Sequence, residues 1–167
     1  MVIRYARPED LNSIAALYVR NHKAAYRGLL SDAYLDALTV ESASAKWTKK
    51  IGPEDACILI AEQDGSFLGF AAAMPDPELE RTLYLESLHV AEDARGQGIG
   101  TALIRACAKI AEEKGFQQMS VCVVRGNDPA AGLYQRIGAV HYSYFEDDFG
   151  GTVSSSEKLV WYRLPTE

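Results

Sequence analysis

The sequence predicts a mixed fold of β-strands and α-helices in one domain, residues 1–167. Three observations lead to this prediction. A chain of 167 residues is long enough for one hydrophobic core, and it shows no internal repeat or linker-like segment. Two apolar, strand-like segments flank the turn pair Asp64-Gly65 and indicate a hairpin. A further strand, a glycine-rich turn and an amphipathic helix follow the hairpin.

Composition and charge exclude several classes of protein. Hydrophobic residues make up 48% of the chain and charged residues 24%, as in ordinary soluble globular proteins. The longest apolar runs are far shorter than the roughly 20 residues that cross a bilayer, and the N-terminus has no signal-peptide pattern. A formal net charge of -6 argues against a nucleic-acid surface. We therefore expect a cytoplasmic protein that binds neither nucleic acid nor membranes.

The three cysteines, Cys57, Cys107 and Cys122, share no CxxC spacing, and each lies in an apolar segment. We interpret them as core residues rather than as a disulfide, a nucleophile or metal ligands. The spacing of the His, Asp and Glu residues suggests no metal site either.

The N-terminal third is predicted to contain a strand and three helical segments. Residues 2–6 alternate between apolar and polar side chains, as strands do. Pro8 and the acidic pair after it indicate a helix start, because proline loses no needed hydrogen bond there and acidic groups suit the positive end of the helix dipole. A break at 26–31 precedes shorter helical segments at 32–38 and 41–50.

The rest of the chain is predicted to mix strands and helices. Strands at 57–63 and 66–74 form the hairpin, and a third strand at 82–90 leads into the glycine-rich turn. Apolar residues at helical spacing continue from Ile99 until Gly115 ends the helix. The remaining elements are a strand at 118–124, a short helix at 127–138, and strands at 139–147 and 157–164 around the turn Gly150-Gly151.

Three glycines at alternate positions, Gly96, Gly98 and Gly100, precede the predicted central helix. A Walker phosphate loop needs a lysine after its last glycine, whereas Thr101 stands there. The dinucleotide fingerprint needs a different glycine spacing and an acidic residue about 20 positions later, where residues 117–119 are Gln, Gln and Met. Two interpretations remain. The unpaired helix N–H groups form an anion site that suits a diphosphate, or the glycines only allow a tight turn and close packing.

The stretch LHVAEDARGQGIGTALI resembles the acetyl-coenzyme A signature of the GNAT acetyltransferases, whose Q/R-x-x-G-x-G/A motif is matched by Arg95, Gly98 and Gly100. Downstream, NDPAAGLYQRIGA resembles the second conserved block of that superfamily, with Tyr134 at the expected place. The resemblance is strong over residues 82–140. It implies a mixed, mostly antiparallel central sheet of about six to seven strands, flanked by helices, with a strand-loop-helix cofactor site.

The resemblance also implies an N-acetyltransferase that moves an acetyl group from acetyl-coenzyme A to a primary amine of a small molecule or peptide. The loop amides would bind the pyrophosphate, and the preceding strand would pair with the pantetheine arm. The cofactor-binding residues expected in this way are Leu88, His89, Val90, Arg95, Gly96, Gln97, Gly98, Ile99, Gly100, Thr101, Asn127 and Tyr134. A homodimer is plausible from the family alone. A catalytically silent acyl-coenzyme A binding or sensing domain is the alternative function.

The chemistry of acetyl transfer selects catalytic candidates. The thiolate that leaves needs a proton, and the family position for its donor is Tyr134, whose alternative role is that of a core aromatic beside Leu133 and Ile137. A strand amide near His89 or Val90 would hold the oxyanion.

The general base is left open between Glu86, His89 and a chain of water molecules. Glu86 is preferred because it shares strand parity with Leu88 and Val90, whereas His89 has the opposite parity. The alternative is that Glu86 faces solvent or pairs with a neighbouring arginine. The other residues expected to bind the substrate are Tyr26, Arg27 and Tyr84. The acidic loop that contains Asp76 either attracts a cationic amine or, in the preferred interpretation, is merely solvated.

Overall fold

A seven-stranded sheet forms the centre of the computed structural model, which describes residues 1–52, 57–149 and 151–167. Its strands are β1 (Val2–Tyr5), β2 (Cys57–Gln63), β3 (Ser66–Pro75), β4 (Thr82–Val90), β5 (Gln118–Val124), β6 (Val140–Phe149) and β7 (Thr152–Trp161). They lie in the order β1-β2-β3-β4-β5-β7-β6. Within the described ranges β4 and β5 form the only parallel pair, and the other neighbours are antiparallel. The predicted mixed, mostly antiparallel sheet is confirmed.

Five α-helices in the described ranges flank the sheet. They are α1 (Leu11–Tyr26), α2 (Asp32–Ala37), α3 (Val40–Thr48), α4 (Ile99–Glu113) and α5 (Asp128–Arg136). A 3-10 turn at Pro8–Asp10 leads into α1, and another at Glu92–Ala94 follows β4. No helix in the part of the chain that the structure describes has the length and apolar character needed to cross a membrane.

The core lies in two layers, one on each face of the sheet. In β2, Leu59 packs towards α4, whereas Ile58 and Ile60 pack towards α1 and α3. Because successive side chains of a strand point to opposite faces, this buried run supplies both layers. Trp47 of α3 is fully buried in the second layer.

One predicted feature at the C-terminal end needs correction. The last strand begins at Thr152 rather than at 157, because residues 152–156, four of which are small and polar, pair with β6 although they show no strand-like alternation. Of the predicted turn Gly150-Gly151, Gly150 lies outside the described residues, and Gly151 adopts a left-handed φ of 90°.

The loop between β3 and β4 is fixed by a buried ion pair. The Lys158 ammonium of β7 lies 2.8 Å from the Asp76 carboxylate, and their side chains are only 6% and 0% exposed. Ser120 of β5 also donates a hydrogen bond to Asp76. The preferred interpretation of this loop as merely solvated is therefore wrong for Asp76, which anchors the loop to the sheet. Nearby Glu78 remains more than half exposed.

Candidate active site

The parallel pair of strands opens into a cleft. Pairing between β4 and β5 runs only from Thr82 opposite Gln118 to Leu85 opposite Val121, although both strands continue beyond these residues. A cleft of about 1110 Å³ lies at this divergence, and residues from α1, β4, the start of α4, the end of β5 and α5 line it. Past Leu85, the edge of β4 that faces away from β3 has no β5 partner within the described residues. Its backbone groups border the cleft.

Helix α4 points its N-terminus at one end of this cleft. Gly96 and Gly98 adopt left-handed φ values of 78° and 79°, and Gly98 is the N-cap. The first intrahelical bond runs from the Ala102 amide to the Gly98 carbonyl over 3.0 Å, so the amides of residues 99–101 precede it. At Gly100 a Cβ would lie 3.4 Å from Leu133 Cδ2, so this glycine also permits close packing. Close packing therefore accounts for Gly100, whereas the anion site at the start of α4 stays a prediction.

The glycine turn is tied to the end of β4 by Arg95 and Asn21. The Arg95 guanidinium donates to Asn21 Oδ1 over 3.0 Å and to the Val90 carbonyl over 3.4 Å. The Asn21 amide of α1 donates to the same carbonyl over 3.2 Å. Asn21 was not singled out in the sequence, because a single amide within an amphipathic helix gives no local signal of a partner 69 residues away.

Tyr134 of α5 combines the two roles considered for it. Its side chain is 7% exposed and packs edge-to-face on Trp161, with ring centroids 5.8 Å apart, yet it also lines the cleft. Burial raises the pKa of its hydroxyl above the usual value, so the proton is retained at neutral pH. Asn127 and Tyr26 line the cleft as well. Burial raises the pKa of Tyr26, and a hydrogen bond with Asn127 opposes that rise.

Glu86 lies at a β-bulge that reverses its predicted orientation. Ala72 of β3 pairs with Ser87 and Ala73 pairs with Leu85, so Glu86 is the extra residue of β4. Leu88 packs towards α4, whereas the Glu86 carboxylate is hydrogen-bonded to the Lys50 ammonium, which follows α3.

The parity assigned to Glu86 and His89 is thus wrong, because a bulge shifts the alternation by one residue. Both side chains lie on the face that α1 and α3 cover: His89 contacts Phe70 and Tyr18 there. The partners of Glu86 are lysines rather than an arginine, with Lys46 Nζ 4.0 Å from its carboxylate.

Two histidines near the cleft are held neutral. Burial, together with the charges of Lys46 and neighbouring groups, lowers the pKa of His89 to about 3 and that of His22 to about 4. His89 stacks on Phe70, with ring centroids 5.2 Å apart. His22 lies between the rings of Tyr18 and Tyr26 at 4.9 and 4.7 Å, and neither of its nitrogens has a hydrogen-bond partner within the described residues. No local pattern in the sequence selects His22, because its aromatic neighbours and its burial depend on how α1 packs.

Most of the residues predicted for the site line the cleft, including the cofactor-binding set apart from Gln97. Arg27 is not brought there, because its guanidinium forms exposed ion pairs with Asp32 and Asp36 of α2. Tyr84 does line the cleft, and burial and a hydrogen bond with Cys122 raise its pKa. Cys57 and Cys107 are buried as predicted, whereas Cys122 is only partly buried and borders the cleft.

Comparison with known proteins places this arrangement in a family. Residues 13–139 match the family model described as "Acetyltransferase (GNAT) family". A relative from Bacillus subtilis, "Uncharacterized N-acetyltransferase YhfO", is 29% identical over 90% of this chain and 93% of its own length. "Probable N-acetyltransferase camello" from Xenopus tropicalis is 36% identical over 87 residues, and this match spans 51% of the present chain but only 39% of the frog protein.

The fold is shared with solved acetyltransferase structures. "Structure of yncA, a putative ACETYLTRANSFERASE from Salmonella typhimurium with its cofactor Acetyl-CoA" superposes with a TM-score of 0.73 at 18% identity, over 98% of this chain and 94% of that one. The family match confirms acyl transfer as the reaction type and supports acetyl-coenzyme A as the co-substrate. The chain belongs to the GNAT acetyltransferase family.

Proposed function

We propose that this chain transfers an acetyl group from acetyl-coenzyme A directly to a primary amine of a small molecule or peptide. One observation carries the proposal. The divergence of β4 from β5 brings the N-terminal amides of α4, a buried tyrosine hydroxyl and the bulge carboxylate to the same cleft. The first of these suits an anion, and the other two suit proton transfer.

The residues present fit acetyl-coenzyme A. Of the predicted amides of residues 97–101, those of residues 98–101 line the cleft and would hold the pyrophosphate, since Gly96 and Gly98 adopt the left-handed conformation that exposes a helix N-terminus to an anion. The β4 edge at Leu88–Val90, which lacks a β5 partner among the described residues, would pair with the pantetheine arm. Asn127, the N-cap residue of α5, would provide a further polar contact to the cofactor. When bound, acetyl-coenzyme A supplies the thioester carbonyl that the amine attacks.

Tyr134 is the proposed proton donor to the departing sulfur. Its hydroxyl keeps its proton at neutral pH because burial raises its pKa by disfavouring the phenolate. Packing on Trp161 holds the ring in one orientation, which favours transfer along a fixed path. A backbone amide at His89 or Val90 would hold the negative charge that develops on the carbonyl oxygen.

Glu86 is the proposed proton acceptor, acting directly or through water. Glu86 is the extra residue of the bulge, so its side chain does not share a face of the sheet with Leu88. Its carboxylate lies instead on the face where Tyr18, His22 and Lys46 lie. His89 and His22 are weaker candidates, because pKa values of about 3 and 4 leave imidazoles that bind protons poorly at neutral pH.

The test is release of free coenzyme A thiol from acetyl-coenzyme A with a broad panel of primary amines. We expect amine-dependent release by the wild-type chain and strongly reduced release by Glu86→Gln, which removes the proton acceptor but preserves size. Arg27→Gln is a control for a charge change outside the cleft and should keep wild-type rates. Tight coenzyme A binding without turnover of any amine would instead favour the silent acyl-coenzyme A binding domain.

A further inference from the structure

The wall of the cleft around Glu86 carries more positive than negative charge. Lys46 in the last turns of α3 and Lys50 just after that helix flank this single carboxylate. The Lys50 ammonium donates a hydrogen bond to Glu86 Oε1, whereas Lys46 Nζ lies 4.0 Å from the same oxygen. Among the ion pairs of the described residues, two ammonium groups on one carboxylate leave about one positive charge without a counterion. This excess is local, since the whole chain has a formal net charge of -6.

Lys46 is the ammonium that faces the cleft. It is one of the lining residues, and its other neighbours are uncharged: Nζ donates to the Tyr18 hydroxyl over 3.1 Å and lies 4.6 Å from the centroid of the Tyr18 ring. Burial lowers the pKa of Lys46, and the charge of Glu86 only partly opposes this. A partly desolvated ammonium of this kind gains most from a second anion.

A neutral donor lies beside this ammonium. The His22 ring is 4.9 Å from the Tyr18 ring, and neither of its nitrogens has a hydrogen-bond partner within the described residues, although both are shielded from solvent. A neutral imidazole always carries one N–H donor, and the Tyr18 hydroxyl, which accepts from Lys46, has its own proton free to donate. Ammonium, phenol and imidazole together form a donor set that suits a carboxylate.

We propose that the acceptor is an amino acid, in which one small molecule carries both the amine and a carboxylate, and that Lys46 binds the carboxylate with Tyr18 and His22 nearby. This inference rests on the acetyl transfer proposed above. The amine would lie towards Glu86 and the carboxylate towards Lys46. Their separation of 4.0 Å suits the short distance between the two groups of an α- or β-amino acid.

Binding is the readout that tests this inference separately from turnover. The protein is saturated with coenzyme A, which has no acetyl group to transfer, and is titrated in a calorimeter with glycine, β-alanine or L-lysine and with the carboxamide of each. We expect each amino acid to bind at least tenfold more tightly than its carboxamide. Lys46→Met should abolish most of this preference, and Tyr18→Phe should weaken it severalfold.

Lys49→Met is the matched control, because it removes the same charge from an exposed neighbouring position and should keep the preference. Equal wild-type affinity for amino acids and carboxamides would overturn the inference without any variant. So would a Lys46→Met protein that binds coenzyme A normally and still prefers amino acids. If amino acids bind preferentially but no amine releases thiol from acetyl-coenzyme A, the proposed function fails and the carboxylate site stands. If amines turn over without regard to a carboxylate, only the site fails.

Discussion

Replacing Gly98 by alanine should weaken cofactor binding by a predictable amount. Gly98 is the N-cap of α4 with a φ of 79°, and an added Cβ would meet nothing within 4 Å. The substitution therefore introduces no clash, only the cost of a left-handed conformation for an L-residue, about 1–2 kcal/mol. The free protein can relieve this strain by turning the loop away from the left-handed conformation, which misdirects the amides of residues 99–101.

The loss of affinity is bounded by that strain. Binding would have to restore the original loop conformation. The apparent affinity is therefore the wild-type affinity multiplied by the fraction of free molecules that keep this conformation. A strain of about 1–2 kcal/mol corresponds to an affinity loss of about 5- to 30-fold. Isothermal titration calorimetry with coenzyme A measures the affinity, and urea denaturation measures the free energy of unfolding.

The other end of the same helix provides the control. Gly115 follows α4 with a φ of 87°, and a Cβ added there would also meet nothing within 4 Å. Gly115→Ala should thus introduce the same strain, lower the free energy of unfolding by about 1–2 kcal/mol and leave the affinity for coenzyme A unchanged. Wild-type affinity in Gly98→Ala, or an equal loss of affinity in Gly115→Ala, would refute the proposal that this helix N-terminus binds the cofactor.

Three further predictions address catalysis, pH and stability. Tyr134→Phe should lower kcat about 100-fold or more, since it removes a general acid, while coenzyme A affinity measured by calorimetry stays nearly constant; an equal loss in both would make Tyr134 structural. The pKa of His89 is about 3 in the folded state against an ordinary 6.5, so the unfolded state binds more protons between these values and stability falls as pH drops. Between about pH 7 and pH 5 this histidine alone should lower the free energy of unfolding, measured by urea denaturation, by about 2 kcal/mol. A His89→Phe protein whose free energy of unfolding falls equally steeply with pH would contradict the assignment. Asp76→Asn removes the buried charged partner of Lys158 and leaves only the half-exposed Glu78, so it should destabilise the fold by about 3 kcal/mol. Asp32→Asn at an exposed pair should change stability by less than about 1 kcal/mol, and similar effects of the two substitutions would show that burial of the first pair is irrelevant.

The order of strands and helices followed from local patterns, because turn pairs, caps and apolar spacing act over a few residues. The hairpin at Asp64-Gly65 and the helix from Ile99 are examples. The glycine turn is also visible in the sequence, because the backbone groups that would bind an anion belong to consecutive residues. The N-terminal boundary of β7 was missed because pairing with β6, rather than side-chain alternation, extends that strand to Thr152.

The orientation of Glu86 could not be predicted from β4 alone. A bulge is defined by two residues opposite one on the neighbouring strand, so it appears only when the register against β3 is known. The same limit applies to Asn21 and His22, whose surroundings depend on how α1 packs against the rest of the fold. Asp76 looked like one charge of an acidic loop. Both Asp76 and Glu78 contact Lys158, about 80 residues later, and Asp76 differs in its complete burial and in the hydrogen bond that it accepts from Ser120.

The short parallel pairing between β4 and β5 affects how firmly the two parts of the sheet on either side of it are joined. Four residue pairs join β4 to β5, so the sheet consists of a four-stranded piece and a three-stranded piece held along a narrow line. A molecule seated where the strands diverge would act as an additional strand segment and bridge the two pieces. Amide hydrogen exchange at the C-terminal end of β5, from Cys122 to Val124, should then slow when the cleft is filled, although these residues lie on the strand opposite the β4 edge.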